Sequence, residues 1–325
     1  MKKNSILITG ASGQLGSVLV EAIIGIYGSN SVIATDIKPI ENSNCHTKLL
    51  DATDQEAIVQ IILKHNVTEI YHLAAVLSAN GEAHPTRTWD VNMVSWLNVL
   101  EASRRCQVQK VFFPSSIAVY GGQFERENTP QNSALNPATV YGMSKVSGEQ
   151  WGQYYFSRYG LDVRSLRYPG IISYQSLPGG GTTDYAVDIY HKAVSQTSFN
   201  CYLKPDTKLP MIYVDDAVRA TLELMHFPEA SVKTRASYNI QGVSFTPEDV
   251  VASIQLWYPG FTASYQPDFR QAIADQWPSS LDDREARTDW HWKPKYTLKK
   301  ISRKMIGNLK ALKNASIKNE DYVTL

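Results

Sequence analysis

The sequence predicts an α/β fold, a doubly wound parallel sheet with a smaller C-terminal lobe, and three observations carry that reading. Through the first half of the 325 residues, short apolar runs bounded by turn residues alternate with longer segments of helical period. A glycine-rich turn from Gly10 to Gly16 joins the first apolar run directly to the first helical segment. Beyond Arg167 the alternation gives way to irregular stretches punctuated by Gly, Pro and Trp. Strands alternating with helices form βαβ units, and right-handed crossovers cover both faces of the resulting sheet.

Taken in order, residues 6–8 read as a short buried strand. Leu15, Val18, Leu19, Ala22, Ile23 and Ile26 then recur at three and four, the mark of one buried helix face. Residues 32–34 read as a second strand, and Ala57, Ile58, Ile61 and Ile62 define a second helix. Further strands are predicted at 70–73, 111–113 and 163–166, with helices near 86–104 and 141–159. Pro169-Gly170 and the run Pro178-Gly179-Gly180-Gly181 break regular structure. Residues 211–216 read as a strand entering a helix over 217–225.

Composition narrows the function classes. With 32 basic and 31 acidic residues the formal charge is +1, and no basic stripe suggests a nucleic-acid surface. Lys299, Lys300, Arg303, Lys304, Lys310 and Lys313 cluster near the end and read as a solvated helix face. Cys45, Cys106 and Cys201 are widely spaced, as expected of a reduced, cytoplasmic chain. The seven histidines show no zinc-ligand spacing, so no metal is expected. The first apolar run is too short for a signal peptide or a membrane span.

The turn Gly10-Ala11-Ser12-Gly13-Gln14-Leu15-Gly16 sits between a strand and a helix. Glycines permit the tight turn and let backbone amides approach a pyrophosphate at a helix N-terminus, where the helix dipole favours negative charge. Its Gly-x-x-Gly-x-x-Gly spacing is a moderate signal alone, but Asp36 ends the second strand about where a carboxylate would bond a ribose 2′-hydroxyl. That carboxylate would repel a 2′-phosphate, which favours NAD over NADP. The expected organisation is a Rossmann-like NAD-binding domain over residues 1–170, to which the chain returns at about 211–240. Residues 171–325 form mainly a substrate lobe over the mouth of the sheet, fraying after about residue 310.

Tyr141 and Lys145 are spaced i, i+4 and project from one helix face. A tyrosine titrates near about 10, too high for a base at neutral pH, and a neighbouring ammonium with an oxidised nicotinamide above favours the phenolate. Lys145 can also bond the ribose hydroxyls, so that Tyr141 and Lys145 count among the cofactor-binding residues too. The strand over 111–113 runs into Pro114-Ser115-Ser116, placing hydroxyls at the carboxyl edge of the sheet. Ser115 or Ser116 would hold a substrate hydroxyl while Tyr141 takes its proton.

Together, Gly10–Gly16, Asp36, His72-Leu-Ala-Ala75, Asn92, Ser115-Ser116-Ile-Ala-Val-Tyr-Gly121 and Tyr141-x-x-x-Lys145 resemble the extended short-chain dehydrogenase/reductase family, which includes sugar-nucleotide epimerases and dehydratases. The resemblance implies that Gly10, Gly13, Gln14, Leu15, Gly16, Asp36, Asp51, Ala52, Leu73, Ala74, Ala75 and Asn92 serve the cofactor. It also places Tyr168, Pro169 and Ile171 at the nicotinamide end and makes Tyr141, Lys145 and Ser116 the catalytic trio, with Ser115 adjacent. In the second half, Arg167-Tyr-Pro-Gly-Ile-Ile172, the run 178–186, the run 273–284 and Trp290-His-Trp292 resemble the branch of short-chain L-threonine 3-dehydrogenases. This implies oxidation of the L-threonine side-chain hydroxyl to 2-amino-3-ketobutyrate. For such a zwitterion, Ser78, Thr182 and the amides of 180–182, Gly181 among them, are candidate carboxylate partners, and Trp277 a wall for the methyl group.

Three rival functions share parts of this pattern. A UDP-sugar 4-epimerase shares the trio but normally needs cations in the second lobe for a diphosphate, and 170–200 holds only Lys192. A dehydratase would carry an Asp-Glu pair where Ile117-Ala118 stand. A non-catalytic NAD-binding regulator has no use for a base. The resemblance also implies a homodimer through the helices near 86–104 and 141–159, for which Trp96, Leu97, Leu100, Trp151, Tyr154 and Tyr155 are suitably apolar, although the same side chains suit packing on the sheet.

Overall fold

The computed structural model describes residues 4–41, 43–175, 177 and 179–323, with side chains as far as Ala315. Pro178, expected to begin an irregular glycine run, lies outside the described residues.

The strands are β1 (Ile6–Thr9), β2 (Val32–Asp36), β3 (His46–Leu49), β4 (Glu69–His72), β5 (Lys110–Ser116), β6 (Asp162–Tyr168), β7 (Gly170–Ile172), β8 (Phe199–Cys201), β9 (Leu209–Tyr213), β10 (Tyr238–Asn239), β11 (Val243–Phe245) and β12 (Ala263–Tyr265). The helices are α1 (Gln14–Tyr27), α2 (Gln55–His65), α3 (Ser78–Ala83), α4 (Pro85–Arg105), α5 (Val140–Tyr159), α6 (Tyr185–Val194), α7 (Val214–His226), α8 (Pro247–Gln255), α9 (Phe269–Ala274), α10 (Arg284–Trp290) and α11 (Leu298–Val323). The last of these carries the chain through the stretch after about residue 310 that the sequence left as a frayed tail.

Seven strands form one sheet in the order β10-β6-β5-β4-β1-β2-β3, with every pairing parallel. Successive side chains of a strand point to opposite faces. Ile6 and Ile8 accordingly join one apolar cluster with Leu19 and Ile23, while Leu7 joins a second with Ile58, Ile62, Trp96 and Val99. Both faces of the sheet are therefore covered, as its near-continuous apolar strands require. The strand order reverses between β1 and β4, and the crevice outside the carboxyl ends of these two strands is where such sheets take ligands.

Two features anchor the elements that bear the site. Arg164 on β6 is fully buried beside Asp162 (2.6 Å) and donates to the carbonyls of Leu224, Met225 and Phe227, capping the C-terminal end of α7. On the opposite face, α5 lies flush against β5 at Gly148, where a Cβ would come within 2.2 Å of the Phe113 ring. The Trp96 indole also donates to the Gly148 carbonyl (3.0 Å). This close approach sets the N-terminal turn of α5, started by the Thr139 side chain accepting from the Gly142 amide, over the end of β5.

The strand expected over 211–216 stops at Tyr213, and α7 begins at Val214. Asp215 and Asp216 fall in its first turn, where the helix dipole stabilises acidic groups. Asp216 further pairs with Arg219 and accepts from the amides of Lys295 and Tyr296. The remaining strands make two small sheets, β11-β9-β7 and β12-β8, beside the mouth of the main one. Among the described residues no helix is long and apolar enough to cross a membrane.

Candidate active site

The β1–α1 turn is built as the glycines predict. Gly10 has φ +68°, and a Cβ on it would meet the Ala74 amide nitrogen at 2.6 Å, so the turn presses directly against the segment after β4. Gly13 caps α1 without any side-chain hydrogen bond, leaving the first amides of the helix to a ligand. The Asp36 carboxylate at the end of β2 accepts from the amides of Ser12 (3.0 Å) and Lys38 (3.2 Å), which fixes it beside the turn. Gln14 lines the crevice, and its buried amide nitrogen has no protein partner. An orphaned donor, a capless helix start and a fixed carboxylate together suit a dinucleotide: the turn would hold its pyrophosphate and Asp36 a ribose.

A cavity of about 240 Å³ continues from this turn across the carboxyl ends of β1, β4, β5 and β6. Tyr141, Lys145, Ser115 and Ser116 all line it. Tyr141 shares a hydrogen bond with Ser116, and Lys145 Nζ stands 5.3 Å from the Tyr141 ring centroid and 4.7 Å from that of Phe113. Ser115 is engaged elsewhere: its hydroxyl donates to Glu149 Oε1 at 2.5 Å. Geometry thus separates the two serines, with Ser116 beside the tyrosine.

The protein groups alone do not lower Tyr141; the expected lowering draws on an oxidised nicotinamide above it as well as on Lys145. Burial pushes Tyr141 up to about 12, offset in part by Ser116, and pushes Lys145 down to about 7 against the opposing pull of Glu149. Both groups lose their charged form to desolvation. Between those limits the pair holds one proton, and phenol–amine and phenolate–ammonium differ only in which partner carries it. A positive charge close to Tyr141 selects phenolate–ammonium.

The far wall comes from the second half of the chain. Gly181, Thr183, Asp184 and Trp277 complete the lining with Tyr168, Pro169 and Ile171. Trp277 is buried, and its carbonyl is gripped by Arg126 Nε (2.8 Å). Asp184 Oδ2 accepts from the amides of Gly180 (2.9 Å) and Gly181 (2.7 Å), and burial raises its pKa despite those bonds. The glycine loop is latched from the other side by α3, since Asn80 bonds the carbonyls of Gly179 and Gly180.

Leu73, Ala75 and Ser78 line the cavity as expected, with Gly10, Gly13, Gln14, Leu15 and Gly16. Ser78, however, accepts from the Thr182 amide (3.2 Å) and faces the Thr182 hydroxyl (3.2 Å). Thr182 is buried in that latch, outside the cavity lining, and its neighbours Thr183 and Asp184 face inward instead. Asn92 is also a brace, bonding the amide and carbonyl of Val76 and the Ser144 hydroxyl. Ala74 packs on Gly10, while Asp36, Asp51 and Ala52 lie away from the cavity at the open ends of β2 and β3. Asp184 was missed by sequence reasoning, although a carboxylate directly after Thr182-Thr183 was a legible partner for an ammonium. Among the described residues no group of three His, Cys, Asp or Glu side chains is placed to hold a metal ion.

Known proteins of similar sequence and structure fit this geometry. The model of the NAD dependent epimerase/dehydratase family matches residues 6–240. An uncharacterized epimerase/dehydratase of Staphylococcus haemolyticus is 44% identical over 306 residues, covering 93% of this chain and 96% of its own. The holo form of a GalE-like L-threonine dehydrogenase from Cupriavidus necator superposes with a TM-score of 0.93 at 48% identity, covering 94% of this chain and all of the other. A monomeric L-threonine 3-dehydrogenase of metagenomic origin gives a TM-score of 0.92 at 46% identity, with 94% and 99% covered. The chain is an NAD-dependent oxidoreductase of the extended short-chain type and belongs to the NAD-dependent epimerase/dehydratase family.

Proposed function

We propose that the chain oxidises the side-chain hydroxyl of L-threonine to 2-amino-3-ketobutyrate with NAD. The observation that carries this reading is the charge of the cavity beyond the trio: among the described residues its far wall offers the carboxylate of Asp184 and no cation, and Lys145 is the only basic residue in the lining. An ammonium finds a partner there, and a nucleotide diphosphate does not. The Cupriavidus and metagenomic relatives, both L-threonine dehydrogenases, point the same way.

Oxidation of an alcohol removes a proton from oxygen and a hydride from carbon. NAD, when bound, supplies the hydride acceptor and a positive charge, and Asp36 favours NAD over NADP. Ser116 holds the substrate hydroxyl, and Tyr141 as phenolate takes its proton. Lys145 carries the compensating charge. Asp184 receives the ammonium, Trp277 encloses the methyl group, and the Gly181 amide region faces the carboxylate. Trp277 and Tyr168 also exclude water from the carbonyl as it forms. The test is absorbance at 340 nm with NAD: L-threonine drives reduction, whereas UDP-glucose and UDP-galactose neither reduce the cofactor nor interconvert. Interconversion of the two sugars without threonine turnover would replace this reading with the epimerase one.

The homodimer implied by the sequence belongs to the same proposal. Trp96 and Leu100 are fully buried against the sheet, and Tyr155 nearly so, which removes them from any interface. Trp151 (39%) and Tyr154 (48%) stay exposed, as do Trp89 and Val94 on α4 and Met143 on α5. This apolar face is what a second copy would cover. Sedimentation at micromolar concentration is expected to give twice the 36.4 kDa chain mass, and a single-chain mass would count against it.

A further inference from the structure

Tyr141, Lys145 and Glu149 follow one another at i, i+4 and i+8 on α5, so that all three lie along one helix face. Lys145 and Glu149 are both almost fully buried. Glu149 is held from two strands: Ser115 on β5 donates to its Oε1 (2.5 Å), and Arg167 on β6 grips both oxygens, Nε to Oε1 at 2.9 Å and Nη2 to Oε2 at 2.8 Å. Arg167 is fixed in turn by the Tyr120 hydroxyl (2.8 Å) and the Gln131 carbonyl (2.9 Å). Against Lys145 stand the rings of Tyr141 and Phe113, with Glu149 one turn on along its own helix and neutral His72 of β4, itself held by Thr9 and Ser95, within reach of its charge.

A buried carboxylate one turn from a buried lysine, with no other anion facing that lysine, has an electrostatic consequence. We infer that Glu149, clamped by Arg167 and Ser115, is a positioning residue that holds Lys145 in its charged form and so sustains the Tyr141 phenolate. The clamp also turns Ser115 away from the substrate, which leaves Ser116 as the hydroxyl beside the base. The inference rests on the Tyr141–Lys145 reading of the site, and it does not depend on which alcohol is oxidised.

The opposing effects on Lys145 agree with this geometry: burial pulls it down to about 7 and Glu149 pulls it up. Removing the carboxylate leaves burial unopposed. The charge state of Lys145 is read by NMR of the protein carrying ¹³C at the lysine ε-carbons, the resonance being assigned by its absence in Lys145→Met. In Glu149→Gln the Lys145 midpoint is expected at least one pH unit lower than in the wild type, a tenfold change in its proton affinity. The pH at which kcat/KM for oxidation rises moves down by the same amount, and the plateau falls by the matching factor, because phenolate–ammonium loses population to phenol–amine. Glu149→Asp, which keeps the charge, recovers most of both. Glu149→Gln combined with Arg167→Met leaves neither charge buried alone and gives the same reading if the single variant does not fold. An unchanged Lys145 midpoint in either folded variant overturns the inference, as does a moved midpoint with an unmoved rate profile. A moved midpoint in a protein that never turns over threonine upholds the role of Glu149 in setting Lys145 and defeats the substrate assignment instead.

Discussion

Tyr141→Phe is expected to lower kcat/KM for threonine oxidation by about 10³-fold while leaving NAD binding within twofold of the wild type. A general base contributes typically ~10² to 10⁴ in rate, and no other group in the cavity lining is placed to replace it. Ser116 accepts from the Ala118 amide and Ser115 is bound to Glu149, so neither serine substitutes as a base. The turn 10–16 and Asp36 at the end of β2, which would hold the pyrophosphate and a ribose, lie on other elements and would keep their cofactor contacts. Fluorescence titration with NADH separates binding from turnover. Loss of both together would mean that Tyr141 mainly shapes the cavity. The wild-type rate should also rise with pH as it passes about 7, where the buried Lys145–Tyr141 pair sheds the first of its two protons. The sign follows from the chemistry, since only the pair that has lost one proton can accept another from the substrate.

The second large effect is expected at Asp184. In Asp184→Asn the far wall of the cavity loses the one negative charge found there among the described residues, and the loop at Gly180 and Gly181 keeps an oxygen acceptor of similar shape. Truncating one partner of a buried charge pair costs about 2–5 kcal/mol, so kcat/KM for threonine should fall by roughly 30-fold to several thousand-fold. Oxidation of 3-hydroxybutyrate, which has the carboxylate and hydroxyl but no ammonium, should be slow in the wild type and change little in the variant. Equal losses for both compounds would assign Asp184 to holding the loop and not to the ammonium.

The parts of the molecule most legible in the sequence are those where one backbone requirement dictates residue type. The β1–α1 turn needs glycine at Gly10 because Ala74 leaves no room for a Cβ, and the i, i+4 spacing of Tyr141 and Lys145 states their shared face directly. Strands β1, β2, β4, β5 and β6 were visible because both faces are buried, which makes each an apolar run. Edge strand β3 was not, since His46–Leu49 is polar and largely exposed, and β10 has only two residues. The end of β9 was misplaced because Val214 continues the apolar pattern, whereas the acids at 215 and 216 belong to a helix start.

Site residues followed the same division. Gly10, Gly13 and Gln14 of the first turn and the trio on β5 and α5 line the cavity, as do Gly181 and Trp277 of the second lobe, whereas Asp36, Asp51, Ala52, Asn92 and Thr182 do not. Thr182 and Asn92 carry suitable polar groups, but the contacts that bury them, to Ser78 and to Val76 and Ser144, come from residues far away in sequence. Threonine at 182 and at 183 look alike in the sequence, and only the latch by α3 decides which of them faces inward.

The most direct test of the central claim uses L-threonine deuterated at C3. Incubated with the protein and NAD, it should yield reduced cofactor one mass unit heavier, in amounts equal to the threonine consumed, and Tyr141→Phe should yield almost none. Reduced cofactor without the label, or no threonine-dependent reduction at all in a protein that binds NAD, would contradict the assignment.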